Sequence, residues 1–434
     1  MSLGIGARAG VAATLSCACL AWAVPSPAAP QAAAPQPAAP QPAAPQAAAP
    51  GPPKLAARAF ALISADTGQP LVGHDSDREL PIASATKLMT ALLTLEHVPN
   101  LDRTFSQNDF QAASVDSQIG LTPGERMSVR DLLRALLLPS ADDAAEDLAF
   151  NVGSHSVSRF VAMMNARAAA LGLSHTHYST PSGLDTPGNY SSASDLTRLA
   201  RFLLLHHPFF RRTVALAHTV LRTGSHVRVV DNRNDLVGRV PWVSGVKTGH
   251  TLGAGYVLVA SGTRAGMTLV SAVLGTDSQA TRDAVTLALL SYGFANFHLA
   301  APVRAGEALA SPTVKYRAGA HVKLVASRSF KWVIGRGSTL TTRVVAPRQL
   351  SGPLSRRSAH GQMIVFEDGR PIARIPLLLA QRLPAVSLLT IAAQFLIRPT
   401  TLLLLLALLA SAIGVWWHRR ERAQRRESAR LRAA

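Results

Sequence analysis

Residues 256–274, YVLVASGTRAGMTLVSAVL, contain the pattern that decides the fold. Two apolar runs, Tyr256 to Ser261 and Met267 to Leu274, flank a short segment that begins and ends with glycine. Apolar runs around a glycine-containing turn are typical of a β-hairpin. The stretch therefore predicts two antiparallel strands of one sheet.

Two further strands are predicted near the start of the same region. Arg58 to Ser64 and Leu71 to His74 are strand-like and are separated by the turn Asp66-Thr67-Gly68. Helical patterns occur at Leu88 to Val98, Leu132 to Leu138, Ala144 to Phe150 and Gln279 to Tyr292. Strands at both ends with helices between them predict an α+β fold with an antiparallel sheet, not a Rossmann alternation.

Residues 298–384 show a different pattern from the main domain, which we assign to residues 55–297. Strand-like runs occur at His321 to Ala326, Thr341 to Ala346 and Met363 to Phe366. Residues 367–370, EDGR, have the composition of a hairpin turn. We expect a small all-β domain here.

The N-terminal region resembles an export signal. Arg8 precedes a short apolar run, and Ala21-Trp22-Ala23 matches a cleavage pattern, so residues 1–23 are predicted to be a signal peptide. A buried N-terminal helix is the alternative. Residues 24–54 are rich in Pro and Ala and predict a disordered, extended spacer.

The C-terminal region predicts a membrane anchor. Thr401 to Trp417 contains no charged residue and would span about 26 Å as a helix. An apolar stretch precedes it, so residues 385–417 are expected to form an interfacial segment and a transmembrane helix. The basic tail, residues 418–434, would lie in the cytoplasm, with the body outside. A core helix would leave this tail unexplained.

Composition excludes several classes of protein. The chain has 434 residues and a net charge of +19. Such a charge is typical of a nucleic-acid-binding protein, but part of this charge belongs to the C-terminal tail. We expect no nucleic-acid partner. The two cysteines, Cys17 and Cys19, lie within the predicted signal peptide. A disulfide scaffold, a Cys-ligated zinc site and a catalytic cysteine are therefore excluded for the mature body.

Ser84-Ala85-Thr86-Lys87 is the first candidate for catalysis. Residues three apart on a helix lie on one face, so Ser84 Oγ and Lys87 Nζ can meet. A serine becomes a nucleophile only when a base takes its proton, and a lysine of lowered pKa can do this. Taken alone, the spacing also fits a helix-capping serine beside a solvated lysine.

Two more segments carry suitable chemistry. Lys247-Thr248-Gly249 stands at the end of a predicted strand, where glycine would let a ligand approach the backbone and the other two side chains could hold an anion. Ser140-Ala141-Asp142 follows the helix break at Pro139. Each segment also fits a purely structural turn.

In this order, S-x-x-K, S-x-polar and K-T-G resemble the motif set of penicillin-recognising serine enzymes. Residues 244–251 (SGVKTGHT), 182–184 (SGL) and 190–196 (YSSASDL) are also close to that pattern. Residues 55–384 resemble the low-molecular-mass penicillin-binding proteins, the serine-type D-alanyl-D-alanine carboxypeptidases of peptidase family S11. The resemblance implies a penicillin-binding-protein/β-lactamase-like transpeptidase fold, a small all-β domain and a C-terminal transmembrane helix.

The resemblance also implies a function and roles for residues. Ser84 would be the nucleophile, Lys87 its base, and Ser140 a proton relay, while the N–H groups of Ser84 and His250 would form the oxyanion hole. The implied substrate-binding residues are Asp142, Lys247, Thr248, Gly249, His250 and Arg282. We expect hydrolysis of the terminal D-Ala of a peptidoglycan pentapeptide, inhibition by β-lactams, and no cofactor or metal. The enzyme would face the periplasm or exterior from the inner membrane.

Asp142 departs from the family pattern, which usually has Asn there. An ionised carboxylate only accepts hydrogen bonds, so Asp142 could lose a contact to the substrate backbone. It could pair with Lys87 and raise the pKa of that lysine, or imitate Asn when protonated. We expect activity with an altered pH profile.

Other functions remain open from sequence. A class A β-lactamase needs a Glu that directs the deacylating water, and no Glu occurs between Glu146 and Glu307. A D,D-endopeptidase uses the same motifs on cross-linked peptides. His175-Thr176-His177 is the nearest approach to a metallopeptidase cluster and favours a turn or surface pair. A catalytically weak peptidoglycan-binding protein is supported by Asp142 alone.

Overall fold

The computed structural model describes residues 53–397 and 399–431, so the predicted signal peptide and nearly all of the predicted spacer lie outside the described residues. The strands of the first part are β1 (Ala59–Ser64), β2 (Pro70–His74), β3 (Thr104–Ser106), β4 (Arg126–Ser128), β5 (His218–Leu221), β6 (Arg228–Asp231), β7 (Val243–Thr251), β8 (Gly255–Arg264) and β9 (Met267–Thr276). The helices are α1 (Lys87–His97), α2 (Val129–Leu137), α3 (Asp142–Val152), α4 (Val157–Ala170), α5 (Ala193–His206), α6 (Pro208–Val214) and α7 (Gln279–Asn296), and a 3-10 turn at Ala83–Thr86 precedes α1.

The predicted hairpin is confirmed as β8 and β9, which pair antiparallel with Arg264 opposite Met267. The central sheet has the strand order β2-β1-β9-β8-β7, and its neighbouring strands are antiparallel. The predicted strands at residues 58–64 and 71–74 are confirmed as β1 and β2. The α+β fold with an antiparallel sheet is therefore confirmed.

Both faces of this sheet are buried. Along β1, Ala61 and Ile63 join one apolar cluster, whereas Phe60 and Leu62 join another, because successive side chains point to opposite faces. The first cluster contains residues of α1 to α6, and the second contains Leu289 and its neighbours on α7. Helices therefore cover the sheet on both sides.

A break between α2 and α3 sets up one corner of the site. Proline has no N–H and disfavours a helical conformation in the residue before it, so the helix ends ahead of Pro139 as predicted. Ser140 follows with a φ of 68°, in the left-handed region, and α3 begins at Asp142. This sharp turn carries Ser140 and Asp142 away from the line of α2.

The second part of the body is made of strands, as predicted. They are β10 (Phe297–Val303), β11 (Ala308–Ala310), β12 (Thr313–Val314), β13 (Leu324–Ala326), β14 (Phe330–Gly335), β15 (Leu340–Val345), β16 (Gln349–Leu350), β17 (Ala359–Glu367) and β18 (Arg370–Leu379). Five of them form a sheet of order β11-β13-β18-β17-β15. The predicted turn at residues 367–370 is confirmed, since Glu367 pairs with Arg370.

This all-β part contacts the first part at the β1–β2 turn. Gln69 Nε2 donates to the carbonyl of Val333 at 3.2 Å, and the N–H of Val333 donates to Gln69 Oε1 at 2.7 Å. Lys331 Nζ lies 3.6 Å from Asp66 Oδ1. These contacts attach β14 to the turn between β1 and β2.

Two helices follow, α8 (Leu388–Leu396) and α9 (Pro399–Leu431). Within residues 53–397 and 399–431, α9 is the one helix long and apolar enough to cross a membrane. Its apolar half is exposed, unlike a core helix. The helix does not end at Trp417, where the predicted span ends, but continues through the basic tail to Leu431.

A buried ion pair offers a test of the first part's stability. Arg228 donates to both carboxylate oxygens of Glu125, at 2.9 and 3.1 Å, and joins β6 to the residue before β4. Burial raises the pKa of Glu125, but hydrogen bonds from Arg228, Ser225 and Thr122 outweigh it and lower the pKa to about 2.

We expect Arg228→Met to destabilise the fold by about 3–5 kcal/mol at neutral pH, because Glu125 keeps a buried charge without its partner. A depressed carboxyl pKa stabilises above its unfolded value, so the parent should lose this contribution as the pH falls from 4.5 to about 2. Urea unfolding at neutral and acidic pH measures both effects. Arg130→Met, which removes the exposed pair with Asp102, is the control and should cost no more than about 1 kcal/mol.

Candidate active site

The serine and lysine of the first motif are in contact. Ser84 lies on the 3-10 turn and Lys87 is the first residue of α1. Lys87 Nζ donates to Ser84 Oγ at 2.8 Å, and the lysine side chain has no exposed surface. The structure therefore brings together the two atoms that the spacing predicts to meet.

Lys87 Nζ has two further acceptors. It donates to Asp142 Oδ1 at 2.5 Å and to the carbonyl oxygen of Ser182 at 2.6 Å. An ammonium group has three N–H donors, so these three contacts satisfy it completely. Burial lowers the pKa of Lys87 below its ordinary value, while the negative charges of Asp142 and Glu146 oppose this change. The lysine is thus shifted towards the neutral form that a base requires.

The contact between Asp142 and Lys87 is one of the alternatives that the sequence left open. Asp142 is the first residue of α3, and its own N–H donates to the carbonyl of Ser117. Only 4% of its surface is exposed, so solvent screens the ion pair weakly. Asp142 therefore acts on the charge of Lys87.

Glu146 is a site residue that the sequence analysis missed. It lies one helical turn after Asp142, and Ser182 Oγ donates to Glu146 Oε1 at 3.4 Å. Burial raises the pKa of Glu146 to about 7. The spacing of four residues from Asp142 on one helix was the available signal. The carbonyl of Ser182, by contrast, has no sequence signal as an acceptor for Lys87.

Ser140 lies on the turn between α2 and α3 and lines the same cavity as Ser84. Its hydroxyl is buried and has no hydrogen-bond partner among the described residues. Its left-handed backbone is costly for a residue other than glycine. An unpartnered hydroxyl on a strained turn is typical of a functional position.

The K-T-G motif lies within β7, two residues before the strand ends, rather than at its end. Lys247 is buried, and its Nζ donates to the carbonyl of Thr248 at 3.0 Å. Burial, followed by the positive charges of Lys87 and Arg233, lowers the pKa of Lys247 well below its ordinary value. An incoming anion would restore the stability of its charged form.

Gly249 permits a close approach, but of the chain's own backbone. A Cβ there would lie 3.0 Å from the carbonyl oxygen of Ile82 and 3.1 Å from the N–H nitrogen of Ser84. Glycine therefore lets β7 lie against the turn that carries the candidate nucleophile. His250 follows on the strand and is exposed; its ring packs against that of Tyr256 in a tilted arrangement, with 4.0 Å between the ring centres.

A cavity of about 570 Å³ joins these segments. Ser84, Ser140, Thr248, Gly249, His250 and Arg282 all line it. Arg282 Nε donates a hydrogen bond to Asp283 Oδ1 at 2.9 Å, so this group is less available to bind a substrate carboxylate. Arg233, which the sequence analysis missed, lines the cavity too.

The His175-Thr176-His177 segment has structural contacts. His177 stacks on Tyr190, and its Nδ1 lies 2.6 Å from the carbonyl of Gly188. His175 faces Glu79 at 3.6 Å. Over residues 53–397 and 399–431, no group of three or more His, Cys, Asp or Glu residues is placed to hold a metal ion.

The sequence profile of peptidase family S11, described as D-alanyl-D-alanine carboxypeptidase, matches residues 46–278. The D-alanyl-D-alanine carboxypeptidase DacA of Escherichia coli K12 is 32% identical over 77% of this chain and 85% of that protein. DacF of Bacillus subtilis is 28% identical over 74% and 84%. The chain belongs to peptidase family S11.

Solved structures agree with this family assignment. Penicillin-binding protein 5 from Haemophilus influenzae is similar with a TM-score of 0.65 and 28% identity, over 77% of this chain and 99% of that one. The S11 fold and its all-β part are therefore both present. The carboxylates of Asp142 and Glu146 both act on the pKa of Lys87, the candidate base of this family S11 enzyme, and each can be tested by substitution.

Asp142→Asn tests the first carboxylate. Removing its negative charge should lower the pKa of Lys87 further, so the neutral base exists at lower pH. We expect the acid limb of the acylation pH profile to move down by about one to three units. The measurement is the rate of labelling by a fluorescent penicillin across pH.

The control is Asp147→Asn, since Asp147 is buried on the same helix but contacts Asn151. The control should keep the pH profile of the parent. The prediction for Asp142 is wrong if Asp142→Asn also keeps that profile.

Glu146→Gln tests the second carboxylate. Above a pH of about 7 the parent carries a negative charge at Glu146, which raises the pKa of Lys87. Below that pH, the side chain at position 146 is neutral in both the parent and the variant. The ratio of variant to parent acylation rates should therefore rise as the pH passes about 7. Asp147→Asn separates this effect from burial alone, because burial also raises the pKa of Asp147 to about 7.

A carboxyl group whose pKa is raised in the fold destabilises the parent as the pH rises, from 4.5 to about 7 for Glu146 and from 3.8 to about 7 for Asp147. Thermal unfolding should thus show that each of the two variants gains stability in this window. Only Glu146→Gln should change acylation. Equal acylation ratios at all pH values would contradict the role of Glu146.

Proposed function

We propose that the chain is a serine-type D-Ala-D-Ala carboxypeptidase that removes the terminal D-Ala of a peptidoglycan pentapeptide through an acyl-enzyme on Ser84. The observation that carries this proposal is the contact between Ser84 Oγ and the buried Lys87 Nζ beside a cavity lined by Thr248. Membership of family S11 supports the reaction class.

Acylation starts when neutral Lys87 takes the proton of Ser84 Oγ. The oxygen attacks the carbonyl carbon of the penultimate D-Ala and forms a tetrahedral oxyanion. The N–H groups of Ser84 and His250 stabilise this charge. Gly249 supports that assignment, because it lets β7 approach the N–H of Ser84.

The leaving amine then needs a proton. Ser140 is suited to relay to this amine the proton that Lys87 took from Ser84, which returns Lys87 to its neutral form. The Ser140 hydroxyl is buried, lies on a residue that lines the same cavity as Ser84, and has no other partner among the described residues. Collapse of the oxyanion breaks the peptide bond and releases D-Ala. Lys87 then activates the water that hydrolyses the acyl-enzyme.

The substrate's terminal carboxylate binds at the positive side of the cavity. Lys247 and Thr248 contact it, and its negative charge raises the lowered pKa of Lys247 so that the ammonium form is favoured. Arg233 also lines the cavity, and Arg282 contributes through its positive charge while it is paired with Asp283. The β-lactam carboxylate takes the same place.

The enzyme is anchored by α9 in the inner membrane, with its body outside. The exposed apolar half of α9 and the basic residues that follow support this topology. Export through residues 1–23 and the spacer of residues 24–54 complete the proposed organisation. The catalytic part then spans residues 55–297 and the all-β part residues 298–384.

Incubation with a pentapeptide muropeptide, followed by mass spectrometry, tests the function. The parent should release free D-Ala and bind fluorescent penicillin covalently, and Ser84→Ala should lose both activities. Ser158→Ala, a serine exposed on α4, is the control and should keep both. A parallel incubation contains cross-linked muropeptide dimers; cleavage of these dimers without release of D-Ala from the pentapeptide would assign a D,D-endopeptidase. An unlabelled parent would indicate a peptidoglycan-binding protein.

A further inference from the structure

The positive charge of the chain is confined to particular regions. Residues 55–297 contain 20 Lys and Arg and 20 Asp and Glu, so the catalytic part carries no net charge. Residues 298–384 contain 14 Lys and Arg but only 3 Asp and Glu. The all-β part is therefore the most strongly basic part of the body.

These basic residues are available to a partner. All 14 are exposed, and within the described residues only Lys331 forms an ion pair, with Asp66. The three acidic residues of this part form hydrogen bonds with other groups. Glu307 and Asp368 accept hydrogen bonds from backbone N–H groups, and Glu367 accepts one from the indole N–H of Trp332. Exposed cations without carboxylate partners attract anionic surfaces.

Two of these arginines lie on one face of the five-stranded sheet. Arg343 on β15 lies opposite Ile364 on β17, which lies opposite Arg374 on β18, so the three side chains share a face. Phe366 is on the same face, and the Arg343 guanidinium lies 5.3 Å from its ring. We call these four residues the outer sheet face.

The other side of the same strands forms the core of the all-β part. Met363, Val365 and Ile375 are buried there. The outer sheet face therefore points away from that core, and both of its arginines are exposed. Ile364 is buried and Phe366 is half-buried, so the two arginines form the accessible part of this face. Exposed guanidinium groups suit a surface of phosphate groups.

The chain itself holds this face near a membrane. The last strand ends at Leu379 and α9 begins at Pro399, so about 20 residues, each spanning at most about 3.5 Å, separate the sheet from the proposed span. Part of that segment is α8, whose Leu388 and Leu389 are more than four-fifths exposed. A headgroup layer is thus within reach, whereas a wall polymer has no such attachment to the chain.

We propose that the all-β part docks on anionic phospholipid headgroups through the outer sheet face, so that the neutral catalytic part is held in a fixed orientation above the membrane. The inference rests on the proposed anchoring by α9 but adds a second, electrostatic contact. Screening limits that contact to about 10 Å at moderate salt, so it should disappear at high ionic strength.

The test uses the proposed mature chain, residues 24–434, in nanodiscs; this chain contains no cysteine, so a fluorophore can be placed on Thr341→Cys alone. Thr341 lies opposite Phe366, is exposed, and therefore reports on the outer sheet face. Quenching by a nitroxide on the lipid headgroup is measured in phosphatidylcholine discs and in discs with about 30% phosphatidylglycerol. We expect at least about twofold stronger quenching in the anionic discs, lost in about 0.5 M salt.

Charge-reversal variants complete the test. Arg343→Glu with Arg374→Glu should reduce quenching to the level of neutral discs, whereas Arg159→Glu with Arg212→Glu, on exposed helix positions of the catalytic part, should not. Unchanged labelling by fluorescent penicillin shows that each variant is folded.

Equal quenching in both discs overturns the proposal. So does a response only to soluble polyglycerol phosphate, which would assign an anionic polymer as partner. If the chain fails to enter neutral discs, the anchor proposal fails separately. Docking then still predicts salt-sensitive capture by anionic discs, and absence of capture overturns it.

Discussion

A single buried amine, Lys87 Nζ, is the constraint on which the site depends. Its three acceptors come from distant segments: Ser84 on the 3-10 turn, Asp142 at the start of α3, and the carbonyl of Ser182. A lysine that loses its water must receive other acceptors or lose its proton. The three segments are therefore held together by the same group that would activate the nucleophile.

The electrostatics of the site are uneven around that amine. Asp142 and Glu146 lie on one side and favour the charged lysine, whereas burial and the positive charge of Arg233 favour the neutral one. Burial and the positive charges of Lys87 and Arg233 lower the pKa of Lys247, and the charge of Asp142 opposes them less strongly. A substrate carboxylate is thus attracted to Lys247, while Lys87 keeps a proton-accepting role between opposing effects. An Asn at position 142 would shift this balance further towards the neutral lysine.

Local sequence patterns predicted much of this architecture. The hairpin of β8 and β9, the helix break at Pro139 and the meeting of Ser84 with Lys87 all depend on neighbours a few residues apart. Such contacts follow from strand and helix periodicity. The spacing of Glu146 from Asp142 was a local signal, but its contact with Ser182 was not predictable, because the two residues are 36 positions apart. Arg233 was missed because nothing in its neighbouring sequence indicates a cavity.

The sequence by itself determined the antiparallel sheet, the family, the S-x-x-K and K-T-G motifs and the apolar C-terminal helix, since these depend on periodicity and short spacing. Only the tertiary structure decided that Asp142 pairs with Lys87, that Gly249 accommodates the turn bearing Ser84, and that Arg343 and Arg374 share one face. The physical reason is that burial, charge–charge distance and strand register are properties of segments far apart in the chain, brought together only when the core packs.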